Sequence, residues 1–258
     1  MTAPDPRPTA AVVIIGDEVL SGRTQDTNLP YLARRLGELG IRPVEARVVP
    51  DVKAAIVQAV NELRARCDYV FTTGGIGPTH DDITSESVAA AFGVPCERHD
   101  EAFRILAEDY ARRGVEFNEA RQRMARLPRG ASLIRCEAVA APGFRLANVF
   151  VFAGVPRIMQ AMFETVAPTL SGGPPTLSRT VHGIDALEGQ IATQLAEIQA
   201  THPAVAIGSY PFYREPGGGV AIVVRGTDRA AVDAAIASVA AMFRSVGITP
   251  RDGEPPPG

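Results

Sequence analysis

Between Tyr69 and Phe92 the chain reads YVFTTGGIGPTHDDITSESVAAAF, and two opposed chemistries meet there. Gly74, Gly75 and Gly77 carry no side chains, so the N–H groups of the Gly74–Thr79 stretch can close on an anion. A helix starting just beyond adds partial positive charge. Asp81 and Asp82 follow at once and would repel the same anion. A divalent cation reconciles the two, because carboxylates hold Mg²⁺ or Mn²⁺ and the metal bridges to phosphate oxygens. The alternative is a tight strand-to-helix turn that needs glycine for its backbone, followed by solvated acids that the helix dipole favours. The stretch is not a P-loop, since the Lys-Ser/Thr pair of that motif is absent. Thr84 is the expected N-cap of the following helix, with Glu86 in its first turn.

A second loop, GDEVLSGRTQDTN, adds Asp17, Glu18, Asp26 and Asn28. Capping of the next helix accounts for one of Asp26 and Asn28, and a solvated turn accounts for Asp17 and Glu18 taken alone. Proximity to Asp81 and Asp82 would turn Asp17 and Glu18 into metal ligands instead. Asp51, after RVVP, reads as an N-cap that also sits at the carboxyl end of a strand. His80 is placed to reach phosphate or metal, or simply to face solvent.

The elements that must hold these loops follow a regular rhythm. TAAVVIIG is a short apolar run ended by glycine, the pattern of a buried parallel strand. TNLPYLARRLGELG sets Leu32, Leu36 and Leu39 at helical spacing and stops at Gly40, the C′ residue. IRPVEARVVP is a second strand and DVKAAIVQAVNELRARC a second amphipathic helix. DYVFTT is a third strand that delivers the chain into the glycine turn. Strand and helix alternating in this way predict a doubly wound α/β sheet with both loops beyond the carboxyl ends of its strands. HDEAFRILAEDYARRGVEFNEARQRMARLP predicts two helices covering an edge, and NVFVFAGVPRIMQAMFETVAPTL another strand, turn and helix. SGGPPTLS reads as a hinge, giving an α/β domain over residues 9–170 and a small α+β domain over 178–248. In the latter the order is strand (Ser178–Gly183), helix (Leu187–Ala200), strand (Ala204–Tyr210), strand (Gly219–Arg225), helix (Arg229–Val246).

Composition narrows the class. With 258 residues, 46% hydrophobic and 21% charged, the chain has the makeup of a globular protein with a sizeable core. A formal net charge of −3 and no Lys/Arg block argue against a nucleic-acid partner. Cys67, Cys96 and Cys136 are scattered, which suits a reducing cytoplasm rather than a disulfide framework or zinc site. No apolar run reaches the ~18 residues of a membrane span, and no signal-peptide plan opens the chain, so no membrane partner is expected. MTAPDPRPTA and RDGEPPPG read as poorly ordered ends.

TTGGIGPTHDDIT resembles the TTGG(T/L)GPxxxD(V/I)T signature of molybdopterin-binding (MoaB/Mog-like) domains, and its His-Asp-Asp form resembles the competence/damage-inducible protein CinA branch. GDEVLSGRTQDTN is similar to that branch's opening, and APGFRLANVFVFAGVPRIMQAM to its APGF…PGVPxxM element, with Ala153 standing where the family has proline. IGSYPFY is similar to a segment of the molybdopterin-binding-like half of eukaryotic FAD synthase. The resemblance implies a three-layer α/β fold, a mostly parallel sheet flanked by helices, in a homo-oligomer. It also implies a nucleotide or pterin phosphate ligand, molybdopterin included, and a divalent metal such as Mg²⁺, Mn²⁺ or Co²⁺. By position, Gly74, Gly75 and Gly77 match the phosphate loop, which continues through Pro78, Thr79 and His80. Asp82 matches the acid before the Val/Ile-Thr, and Asp51 a second family acid. Asn28 joins the ligand side. Asp17, Glu18, Asp81 and Asp82 form the metal set, with Asp81 or Asp82 as ligand or base. Nothing here corresponds to the nicotinamide-mononucleotide amidase domain of longer CinA proteins, so amidase activity is not expected. The expected function is metal-dependent hydrolysis of an ADP-ribose- or FAD-like pyrophosphate. The rivals are molybdopterin binding or adenylylation, and a ligand-binding module without turnover.

Overall fold

The computed structural model describes residues 5–137, 139–214 and 217–255. The chain divides into two compact units between Gly173 and Pro174. In the first, the order is β1 (Thr9–Ile15), α1 (Asp17–Leu20), α2 (Asn28–Glu38), β2 (Arg42–Val49), α3 (Lys53–Arg64), β3 (Tyr69–Thr73) and α4 (Thr84–Phe92). Then come β4 (Cys96–Arg98), α5 (Asp100–Arg112), α6 (Glu119–Gln122), β5 (Arg126–Pro128), β6 (Ser132–Cys136), β7 (Val139–Leu146), β8 (Val149–Phe152) and α7 (Pro156–Val166).

A six-stranded sheet runs β2-β1-β3-β8-β7-β6. β2, β1, β3 and β8 are mutually parallel, while β7 and β6 are antiparallel additions. β1 shows why its sequence has no polar face. Ala11, Val13 and Ile15 enter a core with α3, α4 and α5, whereas Ala10, Val12 and Ile14 enter another with α2 and α7. Side chains alternate across a strand, so a strand covered on both faces is apolar throughout. Leu32 and Leu36 of α2 and Met159, Met162 and Phe163 of α7 close one side; Ile56, Val60 and Leu63 of α3 close the other. The result is the doubly wound α/β sheet that the alternation predicts, with the three layers and mostly parallel strands that the resemblance implies. Gly40 ends α2 with φ 70°, a conformation that suits glycine.

Two readings of the sequence are corrected. The middle segment holds both expected helices, α5 and α6, but α6 is a single turn rather than a full covering helix. The chain then pairs β4 with β5 and widens the main sheet with the β6–β7 hairpin. β4 and β5 are three residues each, too short for any periodicity to register. The closing stretch, read as disordered, contributes β12 (Pro250–Asp252), which pairs with β9. Of the two ends, 1–4 and 256–258 lie outside the described residues.

The second unit holds β9 (Leu177–Ile184), α8 (Glu188–Thr201), β10 (Ala206–Arg214), β11 (Gly217–Gly226), α9 (Arg229–Ser245) and β12. Its sheet, β10-β11-β9-β12, is antiparallel. Val220, Ile222 and Val224 of β11 pack against Ile236, Val239 and Phe243 of α9 in a core of their own. It is a small α+β unit.

Candidate functional site

β1 pairs with β2 on one side and β3 on the other, so the connections leaving β1 and β3 diverge from one point at the sheet's carboxyl edge. A crevice is expected at such a point. The loops GDEVLSGRTQDTN and GGIGPTHDD begin there, and a cavity of about 570 Å³ opens between them. Gly74, Gly75, Gly77 and Pro78 line it with Glu18 and Asp82. Further wall comes from Met124, Val139, Ile158 and Met162, an apolar surface suited to a flat ring.

The glycine loop is held from beneath. Gly74 N–H donates to the Phe152 carbonyl at 3.1 Å, and the buried Thr84 hydroxyl donates to the Gly74 carbonyl at 2.9 Å. Thr84 N–H donates to the Gly75 carbonyl at 3.0 Å. Thr84 is therefore not the N-cap; Ile83 occupies that position, and the threonine is a buried tie between α4 and the loop. Gly74 and Gly75 have φ of 103° and 66°, so both need glycine. A Cβ on Gly74 would lie 2.2 Å from the Ile15 carbonyl oxygen, and one on Gly75 equally close to the Thr84 hydroxyl. Among the described residues, the N–H groups of Gly75, Ile76 and Gly77 donate to no protein acceptor. The Thr79 N–H does, to Asp82 Oδ2 at 2.8 Å, and the Thr79 hydroxyl donates to the same oxygen. Three amides at the mouth of the cavity thus remain for an anion.

The acids divide into groups. Asp51 Oδ2 accepts from the Asp17 N–H at 2.9 Å, joining the ends of β1 and β2. Burial pushes the Asp51 carboxyl above its ordinary value, and the nearby charges of Asp17, Glu18 and Asp81 push the same way. Asp51, Asp17, Glu18 and Asp81 therefore share one field. His80 is almost fully exposed, with Nδ1 3.8 Å from Asp81 Oδ1. Asp82 turns one oxygen back into its own loop, against Gly77. Among the described residues no three Asp, Glu, His or Cys side chains converge as a ready metal cage. A hard cation such as Mg²⁺ takes one or two carboxylates and completes its shell with water and phosphate oxygens, and this acid set fits that mode.

Thr27 is the N-cap of α2, and the side chain of Asp26 just before it accepts from Asn28 N–H at 3.3 Å and Leu29 N–H at 2.9 Å. Asn28 is buried, and its Nδ2 donates to the Gly154 carbonyl at 2.8 Å. Gly154 in turn packs on Gly74, where a Cβ would sit 3.3 Å from the Gly74 Cα. Thr84, Gly154 and the apolar wall had no local signal beyond their place in the quoted segments, because their roles arise from contacts distant in sequence.

Residues 11–172 match the family model described as a probable molybdopterin binding domain, and residues 175–252 that described as the middle domain of FAD synthase. A protein of Pyrobaculum calidifontis is 38% identical over 214 residues, covering 79% of this chain and 81% of that one. A putative competence-damage inducible protein of Desulforudis audaxviator is 41% identical over 160 residues; the match covers 60% of this chain but only 39% of that relative. Among solved structures, the protein CinA of Thermoplasma acidophilum, described as of unknown function, aligns with a TM-score of 0.59 and 28% identity. That alignment covers 63% of this chain and 97% of that one.

Proposed function

The chain belongs to the molybdopterin-binding domain family, and from that premise we propose that its first unit binds the phosphates of a nucleotide or pterin and hydrolyses an ADP-ribose- or FAD-like pyrophosphate with a divalent metal. The observation that carries this reading is the set of free amides at Gly75, Ile76 and Gly77, opening on a cavity that also exposes Glu18 and Asp82. Backbone amides would hold the phosphate oxygens without titrating. One or two of Asp17, Glu18, Asp81 and Asp82 would hold the metal, which when bound neutralises phosphate charge and activates water. Asp81 or Asp82 would serve as ligand or base for that water, while Asp51 braces the Asp17 N–H beside them. The apolar wall at Met124, Ile158 and Met162 would receive a base, flavin or pterin ring. The match of residues 175–252 to the FAD synthase middle domain supports a dinucleotide.

Purified protein assayed against ADP-ribose and FAD with Mg²⁺, Mn²⁺ or Co²⁺ tests this directly. Metal-dependent release of mononucleotides is expected. The family description favours one second reading, binding or adenylylation of molybdopterin, and an assay with molybdopterin plus ATP separates the two. Tight binding with no turnover of any of these would identify a binding module.

A further inference from the structure

Next to the larger cavity lies a small chamber of about 50 Å³, and Glu18, Thr24, Gly154 and Pro156 line both. Asn28 and Thr73 form part of its wall. Asn28 is 5% exposed and Thr73 1%. The bond from Asn28 Nδ2 to the Gly154 carbonyl fixes the amide orientation, so Oδ1 is the atom left over. Oδ1 is buried without a hydrogen-bond partner, and so is the Thr73 hydroxyl. An unsatisfied buried polar group is costly, and two of them on one chamber call for a common partner. Oδ1 only accepts, whereas the hydroxyl both donates and accepts. Their complement is a small group with an O–H: water or a ligand hydroxyl. The chamber is too small for a phosphate or a ring.

Its position selects between them. Asn28 holds Gly154, Gly154 packs on Gly74, and Thr73 immediately precedes Gly74, so the chamber adjoins the root of the loop whose amides are assigned to phosphate. In a dinucleotide each end of the pyrophosphate carries a CH₂ group, and the hydroxyls of a ribose or a ribityl chain follow within a few bonds of it. We propose that this chamber is a specificity subsite that takes a sugar or polyol hydroxyl adjacent to the bound pyrophosphate, with Asn28 Oδ1 accepting from it and Thr73 Oγ1 completing the pair. The inference rests on the phosphate reading of the glycine loop and adds the class of group recognised beside it.

Thr73→Val is the test, because valine keeps the shape and removes only the hydroxyl. Thr72→Val is its control: Thr72 Oγ1 is likewise buried and unpartnered, but Thr72 is not part of the chamber wall. Both variants should melt at or above the wild-type temperature, since each deletes an orphan group. Equilibrium binding is measured for ADP-ribose, FAD and inorganic pyrophosphate with Mg²⁺. Thr73→Val should weaken ADP-ribose or FAD about tenfold, whichever carries the recognised hydroxyl, and leave pyrophosphate unchanged. Thr72→Val should change neither, and Thr73→Ser should restore most of the loss. Wild type needs no substitution to be tested: it should prefer the bound dinucleotide about tenfold over an analogue lacking the hydroxyls beside the pyrophosphate. Dinucleotide affinity indifferent to Thr73→Val, or equal affinity for the analogue, overturns the subsite and assigns the chamber to structural water. Wild type that binds none of the three probes overturns the phosphate reading and this inference together.

Discussion

At the residue scale, the glycine loop offers substitutions with opposite expected costs. Gly74→Ala places a Cβ against a backbone carbonyl at a φ that alanine resists, so it should cost about 3 kcal/mol or more and read out as a lowered melting temperature. Gly77→Ala differs. Gly77 is outside the left-handed region, and its Cβ would meet only the Asp82 carboxylate, at 2.7 Å. That substitution should cost about 1 kcal/mol, yet displace Asp82 from Thr79 and weaken pyrophosphate binding about tenfold by calorimetry. Asp82→Asn keeps an acceptor for the Thr79 N–H while removing the charge. Metal-dependent turnover should fall roughly 10²-fold or more with a small change in melting temperature. Equal rates at equal stability would place Asp82 outside the chemistry and leave it as a latch for its loop.

At the scale of elements, α2 and α7 cover the same face of the sheet and are joined at its edge. Arg35 donates to both oxygens of Glu164, at 2.7 and 2.8 Å, and the Tyr31 hydroxyl donates to the same carboxylate. These bonds, Arg35 first, hold the Glu164 carboxyl below its ordinary value. A carboxylate depressed in the fold contributes stability above its unfolded value of 4.5, and that contribution is lost as pH falls through the lower folded value. Glu164→Gln should therefore destabilise at pH 7 and converge with wild type in strong acid. The carboxylate is partly exposed, so solvent screening limits the difference to about 0.5–1 kcal/mol. Paired urea titrations at pH 7 and at successively lower pH check it; a difference that does not shrink as the pH falls below 4.5 would show that packing rather than charge is responsible. These elements were legible in sequence because their apolar spacing is local. The pair β4 and β5 was not, because pieces this short acquire their form from tertiary pairing.

At the scale of the molecule, the two units bury separate cores, with no residue shared between those of the first and that of the second. Residues 1–173 expressed alone should melt cooperatively and bind pyrophosphate within about twofold of the whole chain. A fragment that stays unfolded by circular dichroism would show that stability is not divided as the cores are. Among the described residues no helix is long and apolar enough to cross a membrane. Sequence by itself determined the buried parallel strand at TAAVVII, the amphipathic α2 and α3, and the glycine loop running into acids. Each of these depends on residue types a few positions apart. Only the tertiary structure decided that Asp51 shares its field with Asp17, Glu18 and Asp81, that the Asp26 side chain rather than that of Asn28 accepts the first N–H groups of α2, and that Thr84 ties down the loop it was expected to follow as a cap. It alone also set Asn28 against Gly154, 126 residues away, with Thr73 beside it on one chamber. Backbone propensity acts over one turn of helix or one strand. A site assembled where several strands end is specified by the order of those strands and the helices packed across them, and no local pattern carries that information.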